Sequence, residues 1–424
     1  MSRDPAQAWQ RTRKRASRSR SIRRRRTAAG AIVLAIVVVA IAVAIAGGQG
    51  TPPTALAGRG PATVLDPRTP PARTGHVTHF TPAAAALSLA SRLPLSSQVA
   101  QLFLIGLDGT DPSSPDIAAF ASMDWGGAVL SRGNFVSDAQ IASLAGDVNA
   151  MAANAGHVPP LIAAPQDGGQ TTAFPDLPPE AESMIGASGQ SAGARAQAIL
   201  AGKQLRALGL NMTFAPLADV DVLGGALSGS LFSSDPATVA KFAAAAVTGY
   251  AAAHLIAAAG HFPGAGAASA DPDAMVATVG GSLQALEQRD LIPFAAITTS
   301  APVIMMSNAA YAAFDGVTPA ALLPKAVGLL RDRYGFQGVV MSDDLDAALL
   351  ATGGTAGQAA ISAVNAGDDL LYITGSAAEQ TSAYEAVLAA VQSGQISRAR
   401  LRDALLRVLS LKARYGLLAG STGG

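Results

Sequence analysis

The sequence predicts an α/β fold: a TIM-like (β/α)8 barrel preceded by one N-terminal transmembrane helix. Three observations predict it. Eight short, continuously apolar runs recur between residues 87 and 418, separated by alanine-rich stretches of helical length. Residues 28–48 form an apolar run without a single charge. The charges are segregated about that run: residues 1–27 hold eleven basic residues and one acid, and the rest of the chain holds nineteen basic and twenty-eight acidic, so the formal net charge of +1 hides a −9 body.

The basic head (Arg3, Arg11, Arg13, Lys14, Arg15, Arg18, Arg20 and Arg23 to Arg26) ends just before the apolar run. Residues 28–48 at about 1.5 Å each span roughly 30 Å, the thickness of a hydrocarbon core. Arginine flanks stay inside, so residues 1–27 read as a cytoplasmic segment and everything after the span as extracytoplasmic, which makes the chain a single-pass protein of the cell membrane. The competing reading is a cleaved signal peptide, whose apolar core is ordinarily about 7–15 residues. An acidic body argues against nucleic acid as its partner. The absence of cysteine excludes disulfides, thiolate metal sites and a cysteine nucleophile.

Residues 49–86 are rich in proline and poor in large apolar residues, as an extended linker is. His76 and His79 in it read as solvated. From residue 87 to the end the barrel pattern holds. The strand-like runs are Leu102–Ile105, Gly127–Leu130, Leu161–Ala164, Met212–Ala215, Leu255–Ala258, Val303–Met306, Val339–Met341 and Leu370–Ile373. Their unbroken apolar character fits strands covered on both faces. Helices are expected at Asp138–Ala155, Ala192–Leu208, Pro236–Ala253 and Pro319–Tyr334. A closing amphipathic helix carries Leu401, Leu405, Leu406, Val408, Leu409 and Leu411 on one face. Alternating strands and helices give a parallel barrel, with a doubly wound open sheet as the alternative.

Barrels of this kind place chemistry at the C-terminal ends of the strands. The third run is followed by Pro165-Gln166-Asp167-Gly168-Gly169 and the fourth by Pro216, Asp219 and Asp221. Gly260-His261-Phe262-Pro263 follows the fifth, then a Gly/Ala/Ser-rich stretch suited to a lid and Asp271-Pro272-Asp273. Ser307-Asn308 follows the sixth and Ser342-Asp343-Asp344 the seventh. A carboxylate at Asp343 can act as nucleophile toward an anomeric carbon, as a base or as a metal ligand; it can equally cap the helix that follows. His261 can be catalytic or simply a packed, hydrogen-bonded residue. No phosphate-binding loop, zinc-protease or serine-hydrolase motif is present.

Taken together, QVAQLFLIG, LRALGLNMTFAPLADVDV, HFPGAG, LLRDRYGFQGVVMSDDLDA, NAGDDLLYI and the closing SGQISRARLRDALLRVLSLKARYGL resemble glycoside hydrolase family 3, in its single-domain β-N-acetylhexosaminidase branch. The resemblance covers about residues 87–418. It implies a retaining mechanism with a carboxylate nucleophile, which falls on Asp343, and no metal or organic cofactor. The branch's Asp-Ser-His acid/base arrangement falls on Asp271 and Asp273, so an aspartate stands at the histidine position. The resemblance implies sugar contacts from His261, Gln166, Asp167 and Asp344. Several of the branch's residues differ here: its Lys-His pair is Gly260-His261, its first strand-three Asp is Pro165, and an Arg of the fourth loop is Ser230. The expectation is a membrane-anchored glycosidase acting on cell-wall or other β-linked amino-sugar glycans, with a carbohydrate of peptidoglycan type as substrate. The alternative is a catalytically inactive barrel that binds such a glycan or a protein.

Overall fold

The computed structural model describes residues 80–169 and 172–418. The basic segment, the apolar run 28–48 and nearly all of the linker lie outside the described residues. Among the described residues no helix is long and apolar enough to cross a membrane.

Eight parallel strands form one sheet: β1 (Phe103–Gly106), β2 (Gly127–Val129), β3 (Leu161–Ala164), β4 (Met212–Thr213), β5 (Ile256–Phe262), β6 (Val303–Met306), β7 (Val339–Met341) and β8 (Leu371–Ile373). The spatial order is β8-β1-β2-β3-β4-β5-β6-β7. Phe103 pairs with Leu371 across β1 and β8. A parallel bridge between Met341 and Leu370 closes the ring, with Ser342 N donating to Leu370 O at 2.9 Å. That closure excludes the open doubly wound sheet.

Side-chain alternation explains why the strands carry no polar face. Leu104, Val129, Ala163, Met212, Ala258, Met305 and Met341 fill the barrel interior. Their neighbours Phe103, Ala128, Ile162, Ala257, Ile304 and Val340 point outward into the layer of helices. Both sets are removed from water, which is the main stabilising term of such a barrel. The amphipathic helix Arg398–Arg414 buries the predicted leucines, and its Val408 and Leu411 join the interior cluster.

The outer helices are alanine-rich because they pack closely. Ser191–Ala207 and Pro236–Ala252 touch where a Cβ on Gly249 would stand 2.6 Å from Arg195 O and 2.7 Å from the Ala198 Cβ, so only glycine fits there. Two expectations need correction. The helix expected over Pro319–Tyr334 is broken into a 3-10 turn at Ala320–Leu322, a short helix at Pro324–Gly328 and a wider π turn at Leu329–Arg333. Pro324 lacks an N–H and opens a new helix after an extended Leu323. The linker also ends earlier than expected: the alanines after Pro82 start a helix at Ala84–Arg92, with Ala86 fully buried and the Arg407 guanidinium 4.4 Å from the Phe80 ring centre.

At the other end of the barrel from the functional loops, Lys412 is fully buried and donates to Gln101 Oε1 at 2.7 Å, while Gln101 Nε2 donates to Asp124 Oδ1 at 2.9 Å. Burial pulls the Lys412 amine down to about 7, against a smaller opposing pull from Asp124. The folded state therefore binds fewer protons than the unfolded one, and this residue's contribution to stability rises with pH from about 7 to about 10. Lys412→Met removes that slope. The melting temperature of the variant minus that of the wild type is expected to be highest near pH 7 and to fall toward pH 10; a flat difference across that range would contradict a neutralised buried amine.

Candidate active site

The continuing alternation of β7 puts Asp343 on the inward face, two residues beyond the interior Met341. Asp343 is 3% exposed. Its Oδ1 accepts the Asp344 N–H at 2.9 Å, and no donor among the described residues reaches the buried Oδ2. Ser342 and Asp344 flank it and clamp the strand end to β8: Ser342 Oγ accepts Tyr372 N at 3.0 Å, and the Asp344 carboxylate accepts Thr374 N at 3.0 Å and Thr374 Oγ1 at 2.5 Å. Asp344 also accepts Asp346 N at 3.1 Å, inside the first turn of the helix Leu345–Thr352. Expected to touch sugar, Asp344 is instead engaged within the fold, and burial holds its carboxyl up at about 6.

His261 lies near the end of β5. Its Nδ1 stands 2.9 Å from Asp219 Oδ2, which also accepts the His261 backbone N–H at 3.1 Å. The second Asp219 oxygen accepts Ala265 N at 2.6 Å. Asp219 is fully buried and thus fixes the start of the loop. Burial pulls the imidazole pKa down, but the charge and hydrogen bond of Asp219, with Asp343 and Asp273 behind them, win and bring it to about 10. His261 is therefore a cation at neutral pH, with both ring nitrogens protonated.

The loop after β5 is tied at both ends. Tyr311 Oη donates to Gly264 O at 3.0 Å, and the short strand Thr278–Val279 pairs in parallel with Ala310–Tyr311. Between these anchors Asp271 Oδ1 accepts Asp273 N at 3.1 Å in an exposed turn. Asp273 keeps solvent access from above while its carboxyl faces inward and meets that of Asp343. Burial raises both carboxyls first. At Asp273 the charge of His261 opposes the rise, Asp271 adds to it and the contact with Asp343 lowers it; at Asp343 the charge of Asp273 adds to the rise and His261 opposes it.

On the β3 side, Gln166 is fully buried and its amide is engaged: Nε2 donates to the carbonyls of Phe174, Leu177 and Pro178 at 3.1, 3.0 and 3.2 Å, and Oε1 accepts Phe174 N at 2.9 Å. It folds the loop over itself. Asp167, next in sequence, is raised to about 6 by burial, with His261 opposing.

Sequence reading missed one residue here. Glu182 opens the helix Glu182–Ala187, is 4% exposed, and accepts Leu217 N on Oε1 at 2.8 Å. Its Oε2 has no donor among the described residues. Burial, then the charge of Asp167, holds its carboxyl well above the usual range, and Asp219 adds to the rise while His261 opposes it. The one available signal was an acid in the otherwise small and apolar stretch Ala181–Ala187. Asp219 was visible as an acid at the rim, but its grip on His261 was not.

The mouth thus gathers Asp167, Glu182, Asp219, Asp273, Asp343 and Asp344 around one cation, His261. Among the described residues no lysine or arginine hydrogen bond or ion pair reaches these carboxyls, and the nearby Asp290 carboxylate is taken by its own neighbour Arg289 at 2.9–3.1 Å. Among the described residues no group of three or more His, Asp or Glu side chains is arranged to hold a metal ion. The arrangement can supply a carboxylate nucleophile, a second carboxyl able to carry a proton, and a fixed positive charge between them.

Comparison with known proteins agrees with this chemistry. The glycosyl hydrolase family 3 N-terminal domain matches residues 95–411. A β-hexosaminidase from Stenotrophomonas maltophilia K279a is 34% identical over 260 residues, which are 58% of this chain and 74% of that protein. The crystal structure of a β-N-acetylhexosaminidase from Beutenbergia cavernae superposes with a TM-score of 0.69 at 30% identity, covering 76% of this chain and 99% of that one. A glycoside hydrolase family 3 β-N-acetylglucosaminidase from Paenibacillus sp. FPU-7 superposes with a TM-score of 0.71 at 32% identity, over 78% of this chain but 64% of that longer one.

Proposed function

This chain belongs to glycosyl hydrolase family 3, and we propose that it works as a membrane-anchored, extracytoplasmic retaining glycosidase acting on β-linked amino-sugar glycans of the cell wall. It is a β-hexosaminidase-like hydrolase of O-glycosyl bonds. The observation that carries the reading is Asp343: a buried carboxylate on the inward face at the barrel mouth, with no donor among the described residues on Oδ2. The anchoring and the outward orientation rest on the apolar run 28–48 and the arginines before it.

In the first step an Asp343 oxygen attacks the anomeric carbon. The carbon–oxygen bond to the leaving group breaks, and the departing oxygen takes a proton from Asp273. A glycosyl ester on Asp343 remains. In the second step water attacks the same carbon, Asp273 takes its proton, and Asp343 leaves as carboxylate, so the anomeric configuration is retained. Raised carboxyl pKa values suit a group that must hold a proton near neutrality and then release it. His261, held protonated by Asp219, keeps the pair from becoming too hard to ionise. Retaining enzymes place the two carboxyls about 5–5.5 Å apart. Here they touch, so the bound sugar displaces Asp273 and its turn, with Asp271 travelling as the backbone partner of Asp273. Asp167 faces the sugar hydroxyls; Gln166 and Asp344 act as positioning residues.

The decisive experiment is trapping with 5-fluoro glycosyl fluorides that keep the 2-amino or 2-acetamido substituent, followed by peptide mapping, with the adduct expected on Asp343. Asp273→Ala is expected to spare aryl glycosides whose nitrophenol leaves without a proton, and to slow substrates with alkoxide leaving groups by about 10²–10⁴-fold. A folded chain that neither labels nor turns over any aryl glycoside would overturn the reading in favour of a glycan-binding barrel.

A further inference from the structure

The mouth of the barrel has more carboxyls than cations, and from this we propose that the sugar taken at Asp343 is a hexosaminide with a free, protonated 2-amino group rather than an N-acetylated one. The inference rests on the proposed glycosidase reading and names its substrate class.

Two oxygens set the demand. Asp343 Oδ2 and Glu182 Oε2 are buried, and no donor among the described residues reaches either. A buried carboxylate is costly unless a cation or several donors meet it. An ammonium supplies a unit positive charge and three N–H donors; an N-acetyl amide supplies one N–H, no charge and a methyl group. Among the described residues the one cation inside the site is His261, whose Nδ1 is already committed to Asp219. Asp167, Glu182, Asp273 and Asp343 must share what remains of its field.

No cation comes from residue 260, which is Gly. The nearest atoms that a Cβ on Gly260 would meet are those of the Met305 side chain, at 3.5–3.9 Å, which is ordinary contact. Met305 belongs to the barrel interior, so a side chain at 260 would rise from that interior toward the mouth. The position can hold a side chain and holds none. A cation brought by the substrate replaces the one that residue 260 lacks. A bound divalent ion is the other way to balance such a site, but no group of three or more ligating side chains is arranged for one among the described residues.

The test compares three substrates on the full chain: 4-nitrophenyl β-D-glucosaminide, its N-acetyl counterpart, and the uncharged β-D-glucoside. The free amine is expected to have a kcat/KM at least tenfold above the other two, with the preference fading as the amine deprotonates. Gly260→Lys supplies a fixed cation and is expected to lower the glucosaminide-to-glucoside ratio at least tenfold. Glu182→Gln, which keeps size and the acceptor for Leu217, is expected to lower the same ratio; a purely structural Glu182 would lower both rates together and leave the ratio alone. Protection of Asp343 from the fluorinated label by glucosamine but not by N-acetylglucosamine gives the same answer without turnover. Equal or better hydrolysis of the N-acetyl substrate, with Asp343 labelled, overturns this inference and leaves the glycosidase standing. No turnover and no label overturns both.

Discussion

Asp343→Asn is expected to lower kcat by on the order of 10⁴–10⁶-fold, the range seen when a covalent nucleophile or its activating partner is deleted from an enzyme, while making the folded protein more stable at neutral pH. The first effect follows because an amide cannot form the glycosyl ester, and Asp273, which must carry the leaving-group proton, cannot do both tasks. The second follows from the environment. The Asp343 carboxyl is held well above its usual range, by burial first and by Asp273 second. The folded state therefore binds this proton more tightly than the unfolded state, and stability is lost as pH rises beyond about 4, where the unfolded carboxyl ionises. Asparagine escapes that loss yet keeps an acceptor for the Asp344 N–H. The melting temperature of the variant should match the wild type near pH 4 and exceed it at pH 7. Asp343→Ala separates this from helix capping: if the residue were mainly a cap, alanine would cost about 0.5–2 kcal/mol at every pH. A variant less stable than the wild type at pH 7, with activity intact, would reduce Asp343 to that structural role. A stabilised and inactive variant identifies a carboxylate kept in place against the preference of the fold, as functional residues often are.

The parts of this molecule that were legible in the sequence are those where neighbours in the chain decide the outcome. The strands could be read because a barrel buries both faces of each, so Val339-Val340-Met341 is apolar throughout. The position of Asp343 followed from the same alternation. What was not legible depends on partners far away in the chain. Nothing local tells that Asp344 is taken by Thr374, or that the Gln166 amide closes on Phe174, Leu177 and Pro178; acids and amides at strand ends look alike whether they face a ligand or the fold. Glu182 gives no local sign of its place, because its partner Leu217 lies on the loop after β4. The contact of Asp273 with Asp343 depends on a turn whose anchors lie on the neighbouring loop. The break at Pro324 was available locally, since proline opens helices more readily than it continues them.

Asp368 and Asp369 are adjacent, both fully buried, and expected to respond to substitution with opposite signs. The Asp369 carboxylate is saturated: Oδ2 accepts Val340 N at 3.0 Å and Arg331 Nη2 at 2.5 Å, and Oδ1 accepts Arg400 Nη2 at 2.8 Å. Arg331 in turn donates to the carbonyls of Phe336 and Gly338, and Arg400 to those of Val364 and Asp368. The carboxylate thus ties β7 to the start of β8 below the nucleophile. Asp369→Ala leaves two largely buried guanidiniums without their counter-ion, and breaking a buried pair from one side costs about 3–5 kcal/mol. At an unfolding entropy of about 2.1 cal/mol/K per residue, a barrel of this length loses about 1.4 °C per kcal/mol, so a fall of about 4–7 °C in melting temperature is expected. Because β7 carries Asp343, turnover should fall with it. Asp368 has no hydrogen-bond partner on either oxygen among the described residues, and burial, then the charge of Asp369, holds its carboxyl well above the usual range. Folding opposes the ionisation of such a group, so Asp368→Asn is expected to be neutral or stabilising at pH 7. Thermal unfolding of both variants in one buffer decides the matter. Equal losses would mean that burial alone, and not the pairing of Asp369 with its two arginines, sets the cost at this corner of the barrel.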